Sequence, residues 1–163
     1  MCSVRKISRK GLKSTEVGYF LAGFVEGEGS FNVSLHRKDD YKLGWQVVLS
    51  FNVSQKDRTI LDMLKDKLKC GIIKTRRRDD LHSFDVTKAA DIVEKVIPYF
   101  SKYPVMSRSK VVNFEIFCSI AELVFRGEHK NSRGLRKILE LREKINEGAG
   151  RTRKYSISDV FAF

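Results

Sequence analysis

Residues 19–29 read Tyr-Phe-Leu-Ala-Gly-Phe-Val-Glu-Gly-Glu-Gly, an apolar helical run that is interrupted by glycine and ends in carboxylates. Glycine inside a helix costs about 1 kcal/mol relative to alanine, so a helix that carries Gly23 and Gly27 needs a reason for them. Four residues apart, the two lie on one face, and without side chains they let another backbone approach closely. Glu28 falls at the helix C-terminus, the negative end of the macrodipole, where a carboxylate is unfavourable unless a cation joins it. Gly29 reads as the stop. The fold must therefore bring a close neighbour to the glycine face and a cation to the acid.

Composition narrows the partners. The chain has 163 residues, 42% of them hydrophobic, which fits one compact domain with a substantial core and excludes a disordered chain. A net charge of +12 points to a polyanion. No run of eighteen apolar residues occurs, so no membrane span is expected. Cys2, Cys70 and Cys118 stand apart without a CxxC pair, and His36, His82 and His129 are equally scattered. They read as reduced thiols and isolated imidazoles of an intracellular protein, not as a zinc site or a disulfide framework. The first thirteen residues hold Arg5, Lys6, Arg9, Lys10 and Lys13 and no acid. That arm suits a solvated tail or a contact to DNA backbone, and less well a transit segment.

After the helix, which Ser14 or Thr15 can cap, the period changes to two. Phe31, Val33 and Leu35 alternate with Ser30, Asn32, Ser34 and His36, and Lys38 opens a polar connection. Trp45, Val47, Leu49, Phe51 and Val53 then alternate with Gln46, Val48, Ser50, Asn52 and Ser54. The pattern predicts a hairpin with one buried face. Its other face carries amides, hydroxyls and an imidazole, groups that both donate and accept hydrogen bonds as base-edge reading requires. Asp57 caps a helix through Ile60, Leu61, Leu64 and Leu68, ended by Cys70-Gly71. A second, more basic hairpin sets Lys74, Arg76 and Arg78 on one strand and Ser83 and Asp85 against His82, Phe84 and Val86 on the other. Helices follow over residues 88–100, disturbed near Pro98, from Ser107 to Gly127, and through Leu135, Ile138, Leu139 and Ile145. Residues 148–154 read as a flexible basic linker before a short terminal element anchored by Val160 and Phe161. The expected organisation is a basic arm (1–13), a main domain (14–146) and a linker with its terminal element (147–163).

Residues 21–29 closely resemble the motif of the LAGLIDADG homing endonucleases, and the pattern of elements extends the resemblance to roughly residues 15–124. The resemblance implies an α+β class with an αββαββα core, a four-stranded antiparallel saddle that lies along the DNA major groove in each subunit, and additional C-terminal helices. One copy of the motif is present, which implies a homodimer whose motif helices meet at Phe20, Ala22, Gly23 and Gly27 and whose site is roughly palindromic. It implies a metal-dependent double-strand DNA endonuclease. Glu28 and the Gly27 carbonyl would bind a divalent ion, magnesium by the chemistry of the donors. Gln55 resembles the residue that positions water, and Arg108 or Lys110 the basic residue near the scissile phosphate; Lys56 and Arg58 are weaker candidates, and spacing leaves the choice open. The saddle would contact double-stranded DNA through Ser30, Asn32, Ser34, His36, Lys38, Gln46, Val48, Ser50, Asn52, Lys74, Arg76, Arg78, Ser83 and Asp85. Some members of the family assist splicing of a host intron RNA, and a DNA-binding module without cleavage is a third class. An organelle or a prokaryotic cytoplasm fits equally.

Overall fold

The computed structural model describes residues 11–146 and 153–161; the basic arm over residues 1–10 and most of the expected linker (147–152) lie outside the described residues. The first helix, α1 (Ser14–Glu28), starts one residue earlier than expected, with Lys13 as its N-cap. The reason is Glu16, whose carboxylate accepts from the Lys13 amide at 2.8 Å. Ser14 instead accepts a hydrogen bond from Lys67 Nζ at 3.0 Å. At its other end the helix passes straight into a strand. Gly29 is extended there, with φ −87° and ψ 154°. A Cβ on Gly29 would lie 2.5 Å from Val25 Cγ1 and 2.8 Å from the Val25 carbonyl oxygen, so the glycine is required by close approach and not by a left-handed backbone.

Four strands form one antiparallel sheet in the order β1-β2-β4-β3, with β1 (Gly29–Arg37), β2 (Trp45–Gln55), β3 (Ile72–Arg76) and β4 (Leu81–Val86). The register aligns Phe31 with Phe51 and Phe51 with Val86 on one face. On the other it aligns Asn32 with Ser50, Asn52 with Asp85, and Ser83 with Lys74. Sequence alternation therefore becomes an apolar and a polar face. Strand β3 is shorter than expected. It ends at Arg76, whose guanidinium forks onto Asp79 at 2.7 and 2.5 Å, and Asp80 takes a left-handed φ of 52°. Arg78 consequently sits in the hairpin turn and not on the strand.

Helices cover the apolar face. They are α2 (Arg58–Leu68), α3 (Ala89–Asp91), α4 (Ile97–Lys102), α5 (Arg108–Phe125), α6 (Ser132–Lys144) and the short α7 (Ile157–Val160). Asp57 caps α2 as expected, accepting from the Thr59 amide. The helix stops at Leu68, because Lys69 turns left-handed with φ 55°. Between α3 and α4 runs a π-helical turn, Ile92–Val96. Pro98 has no amide hydrogen and its ring would meet the carbonyl four residues back; the wider turn ahead of it lets the chain continue. At the centre of the core Phe31 stacks on Phe51 at 5.2 Å and meets Phe100 edge-on at 5.6 Å and Phe117 at 5.3 Å. Each fully buried Phe is worth roughly 1.5–3 kcal/mol of transfer free energy. No helix among the described residues is long and apolar enough to cross a membrane.

β1 is an edge strand, and α6 closes its free side. Arg142 Nε donates to the Val33 carbonyl at 3.2 Å and Asn146 Nδ2 to the Phe31 carbonyl at 3.3 Å, which removes a template for further strand pairing. Arg142 is only 4% exposed; it also donates to the Tyr155 carbonyl at 2.9 Å. Arg153, expected in a flexible linker, instead donates to the α6 terminal carbonyls of Arg142 and Ile145 at 2.8 and 2.7 Å.

Tyr99 carries a testable cost. Its hydroxyl is buried with no hydrogen-bond partner among the described residues. Burial, helped by the neighbouring Tyr103, pushes its pKa up to about 12. Unfolded tyrosine ionises near pH 10, so the unfolded chain loses this proton first and stability falls as pH rises from about 10 to about 12. Tyr99→Phe is expected to raise unfolding free energy by about 1 kcal/mol at pH 7 and to flatten this alkaline slope. Urea melts at pH 7 and pH 11 check both effects; a loss of stability at pH 7 would mean that the hydroxyl is satisfied.

Candidate active site and nucleic-acid interface

The two acids at the end of α1 meet different surroundings. Glu26 reaches the start of α5. Its Oε2 accepts from the Met106 amide at 2.7 Å, and its Oε1 from the Ser107 amide at 3.3 Å and, in a very short contact, from the Ser107 hydroxyl. Burial works to raise the pKa of this carboxyl, but the Ser107 hydroxyl, the two amides and the Lys110 charge outweigh it and hold the pKa below its ordinary value. Glu28, two residues on, is exposed in the final turn. That turn contains no basic residue, and the last carbonyls of a helix have no partner within it.

Lys110, in the first turn of α5, reaches the end of α1. Its Nζ donates to the Gly29 carbonyl at 2.6 Å. Burial lowers the pKa of the ammonium, and Glu26 partly restores it. Arg108 is exposed and lines a shallow hollow with Ser109, Val112, Asn113 and Lys144. Of the two basic candidates, the structure brings Lys110 to the end of the motif helix. Gln55 ends β2. Since Gly29 pairs with Val53, Gln55 lies two residues, about 7 Å of strand, beyond the helix–strand junction. It has core-side parity but sits past the core, opposite His82, and its Oε1 accepts from the Lys56 amide.

The polar face of the sheet is open over most of its area. Ser34 and His36 are exposed, and Ser30, Gln46, Val48, Ser50, Asn52, Ser83 and Asp85 partly so. Lys74 pairs with Asp85 at 3.5 Å, and Ser83 donates to the same carboxylate at 2.9 Å. Lys38 lies exposed in the connection beyond β1.

The sequence pattern of the LAGLIDADG endonuclease family matches residues 21–121. This chain belongs to that family. Among solved structures, the homing endonuclease I-TnaI is 34% identical with a TM-score of 0.74, over 84% of this chain and 90% of its own. The LAGLIDADG homing endonuclease I-LtrWI, solved bound to target DNA, is 32% identical with a TM-score of 0.76, over 81% of this chain and 45% of its own. Probable intron-encoded endonuclease 2 of Neurospora crassa is 31% identical over 144 residues, 86% of this chain and 32% of that protein. The chain thus spans a quarter to a third of the length of this relative and two other fungal ones.

Within this LAGLIDADG fold, several sequence expectations need correction. Ala22 is 2% exposed and faces the core of the chain, because it falls on the same side of α1 as Leu21, Val25 and Gly18. Phe20, Gly23 and Gly27 do form an exposed face, and a Cβ added to either glycine would meet nothing within 4 Å. Asn32 shares the polar parity but is 6% exposed; it lines a cleft with Arg142, Asn146 and Tyr155. Arg78 belongs to the hairpin turn, as described. Two features escaped sequence reading. Ile72, 53% exposed, stands on the polar face in the row of Asp85 and Asn52; an apolar side chain gives no warning of this. The other is the attachment of Glu26 to Ser107, which joins residues 81 apart.

Proposed function

We propose that the chain is a subunit of a homodimeric, site-specific DNA endonuclease that hydrolyses phosphodiesters with a divalent metal, magnesium by the chemistry of its donors. The observation that carries the reading is the end of α1, where an exposed Glu28 stands beside the Gly29 carbonyl held by Lys110. Glu28 and the Gly27 carbonyl are hard oxygen donors at the negative end of a helix dipole, a fit for a small hard cation. No group of three or more His, Cys, Asp and Glu side chains that could hold a metal occurs among the described residues; the proposed dimer would bring a second acid to the site from the other subunit. When bound, the ion polarises the phosphoryl oxygens and lowers the pKa of water.

The protein's own residues do the remainder. The exposed Phe20–Gly23–Gly27 face seats the second copy and brings the two α1 C-termini together. Gln55 orients water at the end of the sheet, and Lys110 supplies positive charge to the phosphate. The open polar face reads base edges, while Lys38, Lys74, Arg76 and Arg78 engage backbone. Incubating the protein with a randomised plasmid library in magnesium, with and without chelator, tests this. Chelator-sensitive linearisation at one sequence is expected; binding without cleavage, or binding only to intron RNA, would overturn it.

Affinity should fall with salt at about −0.9 in log–log slope per phosphate contact. Arg76→Ala is expected to weaken DNA binding about tenfold and to reduce the slope by about 0.9, with Asp79 left free to repel the backbone. Fluorescence anisotropy across a salt series measures both; an unchanged slope would place Arg76 off the DNA.

A further inference from the structure

α1 and α5 are joined at two points, through residues that flank Glu28 in the chain. At the first, Glu26 accepts from Met106 and Ser107. At the second, Lys110 donates to the Gly29 carbonyl. Ser107 is the N-cap of α5, and its hydroxyl both donates to Glu26 and accepts from the Lys110 amide. A carboxylate at the first turn of an eighteen-residue helix is favoured by the helix dipole as well as by its free N–H groups. The same carboxylate stands at the unfavourable end of its own helix, α1. Its attachment therefore draws the start of α5 onto the end of α1, and with it the lysine three residues after the cap.

We infer that Glu26 and Ser107 are positioning residues that set the Lys110 ammonium on the Gly29 carbonyl, at the end of the helix that carries Glu28. Their effect on cleavage passes through Lys110, an inference that rests on the proposed nuclease reading. Glu26 has its carboxylate oxygens occupied by three donors of Met106 and Ser107, just before α5, and holds the protein together at the site without binding metal. A shift of about 1 Å in a reacting group can cost about 10²-fold in rate, and loss of the clamp frees the first turn of α5 to make such a shift.

The test uses the full chain and two readouts. In the first, reductive methylation with formaldehyde and cyanoborohydride is followed by mass spectrometry, with exposed Lys137 as internal reference. Glu26→Gln and Ser107→Ala are expected to raise the Lys110 labelling rate at least about fivefold relative to Lys137, and Ser107→Thr to restore protection. In the second, single-turnover cleavage at saturating DNA and magnesium is expected to fall about 10- to 100-fold in both variants, with the DNA dissociation constant within about twofold of the parent. In a Lys110→Met background Glu26→Gln is expected to add no further loss. Unchanged Lys110 labelling, or a full additional loss in the Lys110→Met background, would overturn the inference. If the parent cuts no DNA, the nuclease reading fails while labelling still decides whether the clamp holds Lys110.

Discussion

Glu28→Gln is expected to bind the DNA site as the parent does and to cut neither strand in magnesium, with a cleavage rate lower by at least about 10³-fold, or about 4 kcal/mol of transition-state stabilisation. The substitution keeps the shape of the side chain and removes its charge. Glu28 is exposed in the last turn of α1, so the fold does not depend on it. Removing a negative charge from the negative end of a helix should slightly favour the fold. Dimerisation is likewise expected to persist, because two acids brought together at the helix ends repel each other. Binding by anisotropy, mass by light scattering and cleavage by gel separate these effects. Retained cleavage would exclude Glu28 as the metal ligand. Loss of binding together with dimerisation would make its role structural.

Gly23→Leu is expected to abolish assembly while sparing the subunit. A Cβ at this position meets nothing within 4 Å in the isolated chain. Leucine is the better helix former by roughly 0.8 kcal/mol, so the subunit should melt no lower than the parent. In the dimer the same side chain would stand between two helices that approach through their glycines. A rise in the dimer dissociation constant of at least about 100-fold is expected, and with it loss of double-strand cleavage. Analytical ultracentrifugation across a concentration series, paired with thermal melts, checks both halves. A parent that sediments as a monomer and still cuts both strands would remove the dimer from the proposal. A variant that dimerises normally would move the interface away from Gly23.

How far the sequence could be read depended on the range of the interaction concerned. Alternation of period two placed Phe31, Val33, Leu35, Leu49, Phe51 and Val53 in the core, and all six are buried. Strand faces are a local property, set by the backbone pleat. The cap Asp57 was readable for the same reason, since its bond spans two residues. Ala22 was misplaced because the small residues of α1 look alike in sequence. It lies on the buried side of α1 with Gly18, Leu21 and Val25. Arg78 was misplaced because an ion pair, Arg76 with Asp79, closes the hairpin sooner than alternation suggests.

The residues near Glu28 divide in the same way. The acid, its glycine neighbours and the helix that carries them stand in one uninterrupted run, so local chemistry alone singled them out. The choice between Arg108 and Lys110 could not be made from spacing: both are basic, both lie in the first turn of α5, and either could have faced the motif. What separates them in the fold is the contact of α5 with α1, through Glu26 with Ser107 and Lys110 with Gly29, across about half the chain. The same holds for Asn32, polar by parity yet covered once α6 lays Arg142 and Asn146 along the edge of β1. Helix periods, strand faces and the motif itself were determined by the sequence, because each depends on neighbours within a few residues. Which basic residue reaches the end of α1, and which polar side chains stay exposed, depended on packing between segments that only the folded chain brings together.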